Sequence, residues 1–300
     1  MFKNISAWII ATRPRTLPLS ITAIILGSGL AAMNGFFNIP VLCLAMFTSV
    51  LLQILSNLTN DYGDELSGVD SKTRVRPNVI TSGLISKKDM FAGILITLAA
   101  TVLCGLLLLI VSAWGNLAKL FIFIGLGIAA IIAATTYTLG KYPYGYMGFG
   151  DLSVLIFFGY LAVTGTYLLS NAPFSPDILL PATSTGLITV AVLNVNNIRD
   201  MELDRKAGKK TIPLMLGDRG ARYYHWGLVL SALVLWVIFL YINKKLFMWP
   251  VLAIGGAPLV WSAWQVWRHS DLKYLNRQLK TTVLSCAFLN IIMAIFFALA

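Results

Sequence analysis

Charge is scarce in this chain. Of its 300 residues only 12% are Asp, Glu, Lys or Arg, while 58% are hydrophobic and the mean hydropathy is +0.79. Soluble domains carry about 25% charged residues, so a water-soluble globular protein is excluded. Histidine and cysteine are equally sparse. His225 and His269 stand alone near helix ends, and Cys43, Cys104 and Cys286 fall far apart inside apolar segments. That leaves no spacing for a zinc site or a disulfide framework. Acidic residues are few too, 12 against 23 basic ones, for a net charge of +11. Such an excess could suit nucleic acid, but the placement of the basic residues gives it another meaning.

Apolar segments of the length that crosses a bilayer, about 17 to 25 residues, fall near 17–35, 39–58, 89–112, 117–139, 151–170, 178–197, 223–243, 247–266 and 281–299. They predict an all-α polytopic membrane protein, a bundle of nine transmembrane helices forming one domain over residues 1–300. With the N-terminus inside, every Lys and Arg except Lys119, Lys244 and Lys245 falls on the same side. This is the positive-inside bias. It puts the N-terminus and all long loops in the cytoplasm and the C-terminus outside. A signal peptide, with Lys3, Arg13 and Arg15 leading into an apolar Leu17 to Met33, is the competing reading of the first segment. Its full spanning length and the regular charge alternation favour a retained helix.

The few acids are not scattered. Two clusters, Asn57-Leu-Thr-Asn-Asp-Tyr-Gly-Asp64 and Asn196-Asn-Ile-Arg-Asp-Met-Glu-Leu-Asp204, each sit where an apolar segment runs out into a polar loop. An ionised Asp near hydrocarbon costs roughly 2.5 kcal/mol or more unless something neutralises it. A cation does so most simply, and magnesium suits carboxylate oxygens while sharing its other positions with substrate phosphates. Four spans separate the two clusters, so both lie on the same face. On helices continuing out of the membrane, residues three and four apart share a side. Asn57, Asp61 and Asp64 therefore form one stripe, and Asn196, Asp200 and Asp204 another. The shared Asn-x-x-x-Asp pattern suggests a weak internal duplication of a four-helix unit.

Basic residues follow each stripe: Lys72, Arg74 and Arg76 after the first, and Arg205, Lys206, Lys209 and Lys210 after the second. Topology alone explains many of them, and single loop acids such as Asp177, Asp218 and Asp271 need no special account. Cations beside a carboxylate metal site nonetheless suit a polyanion. A third polar stretch, Tyr137 to Asp151, interleaves tyrosines with four glycines and Pro143. Tyrosines at a boundary also make ordinary aromatic belts, but the glycines suggest a shaped loop walling the same site. A magnesium-held diphosphate is a good leaving group, because metal and cations neutralise the charge that develops as its bond to carbon breaks. A long isoprenoid tail could lie among the apolar helices below it.

These residues resemble the UbiA superfamily of membrane aromatic prenyltransferases, and within it the 1,4-dihydroxy-2-naphthoate polyprenyltransferases of menaquinone synthesis. The first family motif corresponds to Asn57-x-x-Asn60-Asp61-Tyr62-x-Asp64-x-x-x-Gly68-x-Asp70, and the second to Asn196-Asn197-x-Arg199-Asp200-x-x-x-Asp204-x-x-x-Gly208-Lys209. Further similarity lies in Arg13-Pro-Arg15-Thr-Leu-Pro18, in Pro143-Tyr144-Gly145-Tyr146, and in Phe157-Phe158-Gly159. One difference falls in the 70–83 loop. Family members commonly place an Arg shortly after the proline there, whereas Pro77 is followed by Asn78 and Val79.

The resemblance implies prenyl transfer from an all-trans polyprenyl diphosphate to 1,4-dihydroxy-2-naphthoate, in the bacterial cytoplasmic (inner) membrane. It implies magnesium on Asp61, Asp64, Asp200 and Asp204, with Asn57, Asn60, Asn196 and Asp70 as supporting ligands or orienters. Arg199, Lys209 and Arg74 become candidates for diphosphate oxygens, and Arg15, Tyr137 and Lys141 for the aromatic acid. A different acceptor, such as 4-hydroxybenzoate, is the alternative within this class. A cation-coupled transporter is the alternative outside it, and predicts acids near mid-bilayer on discontinuous helices. A CDP-alcohol phosphotransferase would also use an Asp-rich site, but its Asp-Gly and Ala-Arg pairs are missing from both clusters.

Overall fold

A computed structural model describes residues 4–66 and 78–299. Asp70, Arg74 and the other motif residues between 67 and 77 lie outside that range. In chain order the helices are α1 (Ile5–Thr12), α2 (Leu17–Met33), α3 (Ile39–Leu66), α4 (Lys87–Ala113) and α5 (Leu117–Thr136). Then α6 (Gly150–Val154) runs through a π-helical stretch (Leu155–Thr164) into α7 (Gly165–Leu169), followed by α8 (Leu179–Lys206), α9 (Ile212–Ile242), α10 (Trp249–Arg268) and α11 (Leu272–Leu299). Among the described residues eight helices, counting Gly150–Leu169 as one, are long and apolar enough to span a membrane. The pair α1 and α2, bent by 54°, makes a ninth when taken as one span. Eight of the nine expected spans are thus present among the described residues, and the ninth is as well if the bent pair counts as one span. Their limits differ because hydropathy marks the lipid-facing length, whereas a formed helix gains a hydrogen bond with each added residue, polar or not. Hence α3 and α8 carry the acidic clusters on their own last turns.

Short α1 was not foreseen as a separate helix. The Asn4 side chain caps it by accepting from the Ala7 N–H at 3.1 Å. Arg13, left-handed at φ 52° and ψ 61°, ends it, and Pro18 in the first turn of α2 restarts the chain in a new direction. Its Ala7 and Ala11 pack with Leu55, Leu58, Met90 and Ile94 of α3 and α4. Trp8 lies over Gly93, where a Cβ would come within 2.5 Å of the indole ring. The turn at Arg13 is thereby pressed against the end of α3.

Helix α8 is central, packing against α9, α11 and the π-helical stretch. Close approach there depends on two glycines. A Cβ at Gly159 would sit 2.6 Å from the Ala182 carbonyl oxygen, and one at Gly186 would sit 3.1 Å from the Leu155 carbonyl oxygen. Gly159→Val should therefore push the π-helical stretch off α8 and destabilise the protein by about 1–3 kcal/mol. Thermal unfolding in detergent measures this, and an unchanged midpoint would show that the crossing has slack. On the far side of the cavity described below, α5 packs on α3 and α4.

Candidate active site

The ends of α3 and α8 meet at the mouth of one cavity of about 910 Å³. Its rim carries Asn57, Asn60 and Asp64 from α3, and Asn196, Arg199, Asp200 and Asp204 from α8, with Arg15, Tyr137 and Lys209. Below the rim the walls become apolar, with Phe157, Phe158 and Leu161 of the π-helical stretch across from Phe123 and Ile124 of α5.

Lys209 joins the two clusters. Its ammonium lies 3.8 Å from Asp64 Oδ1 and 3.6 Å from Asp204 Oδ1. It also sits 4.3 Å from the centre of the Tyr146 ring, and the Tyr146 hydroxyl donates to Asp64. The Lys210 N–H donates to the Tyr146 carbonyl at 2.8 Å, tying the loop after α8 to the tyrosine loop. Gly148 makes that approach possible: its φ is 91°, and a Cβ there would lie 2.9 Å from the Lys210 carbonyl oxygen. The tyrosine loop is thus a wall of the site, as its glycines suggested.

The remaining acids are paired with arginines. Asp200 takes a two-pronged contact from its neighbour Arg199, Nε to Oδ1 at 2.8 Å and Nη2 to Oδ2 at 2.6 Å, while Arg199 also donates to Asn196 and Asn276. Arg13 Nη2 donates to Asp61 Oδ1 at 2.8 Å. Asp61 itself is only 2% exposed and does not line the cavity. It lies behind Arg13, which does, so the stripe expected on α3 is split between a cavity-facing Asp64 and a recessed Asp61. Arg13 Nε is buried without a hydrogen-bond partner.

The asparagines position the frame. Asn57 donates to the Thr12 carbonyl at 2.9 Å and so holds the turn between α1 and α2. Asn60 accepts from Thr138 at 3.0 Å. Asn78, which follows the proline where the family commonly has Arg, donates to the Asp61 carbonyl at 2.7 Å. Tyr137 lines the cavity edge-on to Tyr144, with ring centres 5.2 Å apart. Burial raises the pKa of both phenols, and for Tyr137 so do the nearby Tyr144, Asp151 and Asp204. Both remain hydrogen-bond donors at neutral pH. Lys141, expected at the aromatic acid, is instead exposed, 5.5 Å from the Tyr142 ring centre and outside the cavity lining. Tight packing of Gly145 against Tyr137 turns the chain between them and carries Lys141 outward. Sequence reasoning missed Arg13, although it belongs to the same Arg13-Pro-Arg15 string that drew attention to Arg15.

Among the described residues no three His, Cys, Asp or Glu side chains gather as a complete metal site. The donor set still fits a hard divalent cation. The Lys209 ammonium between Asp64 and Asp204 marks a position where oxygens from both helices converge on one positive charge, and such ions commonly take one or two carboxylates plus substrate phosphates.

A polytopic helical bundle with a carboxylate-and-cation rim over an apolar cavity is built for an amphiphilic anion with a long apolar tail. The chain belongs to the UbiA prenyltransferase family, whose pattern matches residues 20–297. It is 42% identical to the 1,4-dihydroxy-2-naphthoate octaprenyltransferase of Escherichia coli (strain K12), over 95% of this chain and 93% of that protein. The enzyme of the same name from Haemophilus influenzae (strain Rd) is 45% identical over 79% of this chain and 78% of its own. Among solved structures, a UbiA homolog from Aeropyrum pernix K1 superposes with a TM-score of 0.69 at 16% identity, covering 92% of this chain and 97% of that one. One from Archaeoglobus fulgidus, bound to GPP and Mg2+, gives 0.64 at 14% identity over 96% and 99%. These two likenesses establish a shared fold.

Proposed function

We propose that this chain transfers a polyprenyl group from an all-trans polyprenyl diphosphate to 1,4-dihydroxy-2-naphthoate. The products are diphosphate, carbon dioxide and a demethylmenaquinol, on the way to menaquinone. The observation that carries this reading is the position of the Lys209 ammonium between Asp64 and Asp204, where carboxylates from both helices meet one positive charge. The names of the Escherichia coli and Haemophilus influenzae relatives support the naphthoate acceptor, and the Mg2+ bound with GPP in the Archaeoglobus fulgidus homolog supports magnesium. We place the protein in the bacterial cytoplasmic membrane as one domain, with the rim on the cytoplasmic side where the Lys and Arg residues concentrate.

Asp64 and Asp204 would hold Mg2+, with Asp200 available once Arg199 turns to phosphate. When bound, the ion neutralises charge developing on the diphosphate. Lys209, Arg199, Arg13 and Arg15 supply positive charge around the same oxygens. The carbon–oxygen bond of the donor breaks with its electron pair going to diphosphate, leaving an allylic cation beneath the rim. Tyr137 and Phe157 line the cavity, and aromatic rings suit that cation. An electron pair from the naphthoate ring forms the new carbon–carbon bond. Loss of the carboxylate as carbon dioxide returns a pair to the ring, so replacing carboxylate by prenyl requires no net proton transfer. Arg15 at the rim suits the acceptor's carboxylate before it leaves.

Purified protein should consume dihydroxynaphthoate only with both magnesium and a prenyl diphosphate, and chelation with EDTA should return the rate to background. Preference for naphthoate over 4-hydroxybenzoate should be at least about tenfold, since a site made to bond one set of hydroxyls rejects analogues lacking it. Equal or better use of 4-hydroxybenzoate would reassign the acceptor.

A further inference from the structure

Three side chains hold Arg199, and one of them comes from a helix that carries neither acidic cluster. Its Nε and Nη2 meet Asp200, Nη2 also donates to Asn196 Oδ1 at 2.9 Å, and Nη1 donates to Asn276 Oδ1 at 3.1 Å. Asn276 stands on the second turn of α11, 77 residues further along the chain. Packing brings it there. Its neighbour Leu275 shares one buried cluster with Val195 and Ile198 of α8, Ala221 of α9 and Val266 of α10. The Asp271 side chain accepts from the Tyr274 N–H at 3.0 Å and fixes the start of the helix.

This pairing decides which way the carboxamide faces. A guanidinium only donates, so Asn276 turns its oxygen to Arg199 and its NH2 group is left over. Among the described residues that group has no partner, and Asn276 lines the cavity. Asn290 on the same helix is the contrast. It is fully buried, accepts from Thr185 Oγ1 at 3.2 Å and turns its amide nitrogen to Cys286 Sγ at 3.8 Å. Asn290 serves the bundle with both ends of its amide, whereas Asn276 serves it with one. Asn196 repeats the Asn276 arrangement: its oxygen accepts from Arg199, its NH2 group has no partner among the described residues, and it lines the cavity. Together with the second Nη1 hydrogen of Arg199, these amides form a cluster of donors whose acceptor oxygens are already engaged. Such a set suits an anion.

We propose that Asn276 is a diphosphate-binding residue supplied by α11, its carboxamide oxygen holding Arg199 while its N–H groups meet oxygens of the diphosphate beside that guanidinium. This rests on the reading of the donor as a prenyl diphosphate. As the carbon–oxygen bond breaks, negative charge grows on those oxygens, and donors fixed beside them beforehand need no rearrangement. The last helix of the bundle thereby joins α3 and α8 in building the rim.

Affinity for an unreactive prenyl thiolodiphosphate, measured with magnesium on the purified full-length protein, tests the assignment. Asn276→Ala should weaken binding by about tenfold, the usual worth of a hydrogen bond to a charged group. Asn276 is only half-buried, so the variant should remain folded, and its KM for naphthoate at saturating donor should stay within about twofold of the parent's. Asn276→Asp keeps an oxygen for Arg199 but replaces the donors with negative charge, and should lose about a hundredfold. Arg277→Gln is the control, because Arg277 is exposed and outside the cavity lining, and its affinity should match the parent's. Repeating Asn276→Ala in an Arg199→Gln background separates direct contact from help given through Arg199. A further loss of about fivefold or more there supports direct contact. Disappearance of the loss in that background would make Asn276 a support for Arg199 alone and overturn the proposal. Affinities within about twofold of the parent in both Asn276→Ala and Asn276→Asp would overturn it by themselves, whereas a parent protein that binds no analogue would remove the donor reading along with it.

Discussion

Asp64→Asn and Asp204→Asn will each slow prenyl transfer by about 10²- to 10³-fold, the usual cost of removing one electrostatic group aimed at developing charge. Asn keeps the size of the side chain and an acceptor oxygen for Tyr146, so the loss isolates the charge. If both carboxylates serve one ion, the double substitution will cost little more than either alone, because groups acting as a unit are strongly non-additive. Turnover at saturating donor, measured across a magnesium titration, decides the matter. Retention of parental rates in either single variant would remove that carboxylate from the metal site. Additive losses would assign the two carboxylates to separate tasks.

The second large effect concerns stability. Arg13→Ala takes away the guanidinium that meets Asp61 at 2.8 Å, at a carboxylate side chain only 2% exposed. Breaking a buried pair from one side costs about 3 kcal/mol or more, and because Arg13 is 27% exposed and Asp61 has further partners the loss here should be a fraction of that, about 1–2 kcal/mol. The variant should therefore unfold at a lower temperature and lose activity as the turn between α1 and α2 loosens. Adding Asp61→Ala should recover part of the stability but none of the activity, since the Arg13 donors facing the cavity are still missing. A parental unfolding temperature in the single variant would mean that Asp61 is satisfied from elsewhere.

Much of this arrangement was legible in the chain itself. Spans of such strong hydropathy admit one class of fold, and an even number of crossings between Asp64 and Asp204 requires both to emerge at one end. The spacing of Asn57, Asn196 and their following acids marked α3 and α8 as the helices that matter. Side-chain direction was harder to infer. Asp61 and Asp64 are three residues apart and nominally on one side, yet Asp61 is turned away by Arg13, whose position depends on a left-handed residue that hydropathy does not reveal. Lys141 likewise looked near enough to Tyr137 to share its role. The close approach of Gly145 to Tyr137 sends it the other way, and that contact exists only in three dimensions.

Lys209, set between Asp64 and Asp204, means that the protein brings its own counterion. Without it the resting cleft would hold facing negative charges with little water to screen them. The same tether makes it a rival for any incoming divalent ion, at an effective concentration on the order of millimolar. An ion arriving alone must displace that ammonium and gains little. An ion arriving with a diphosphate gives the displaced lysine a new anion to hold. Metal and donor therefore assist one another's capture, and by linkage each strengthens the other to the same degree.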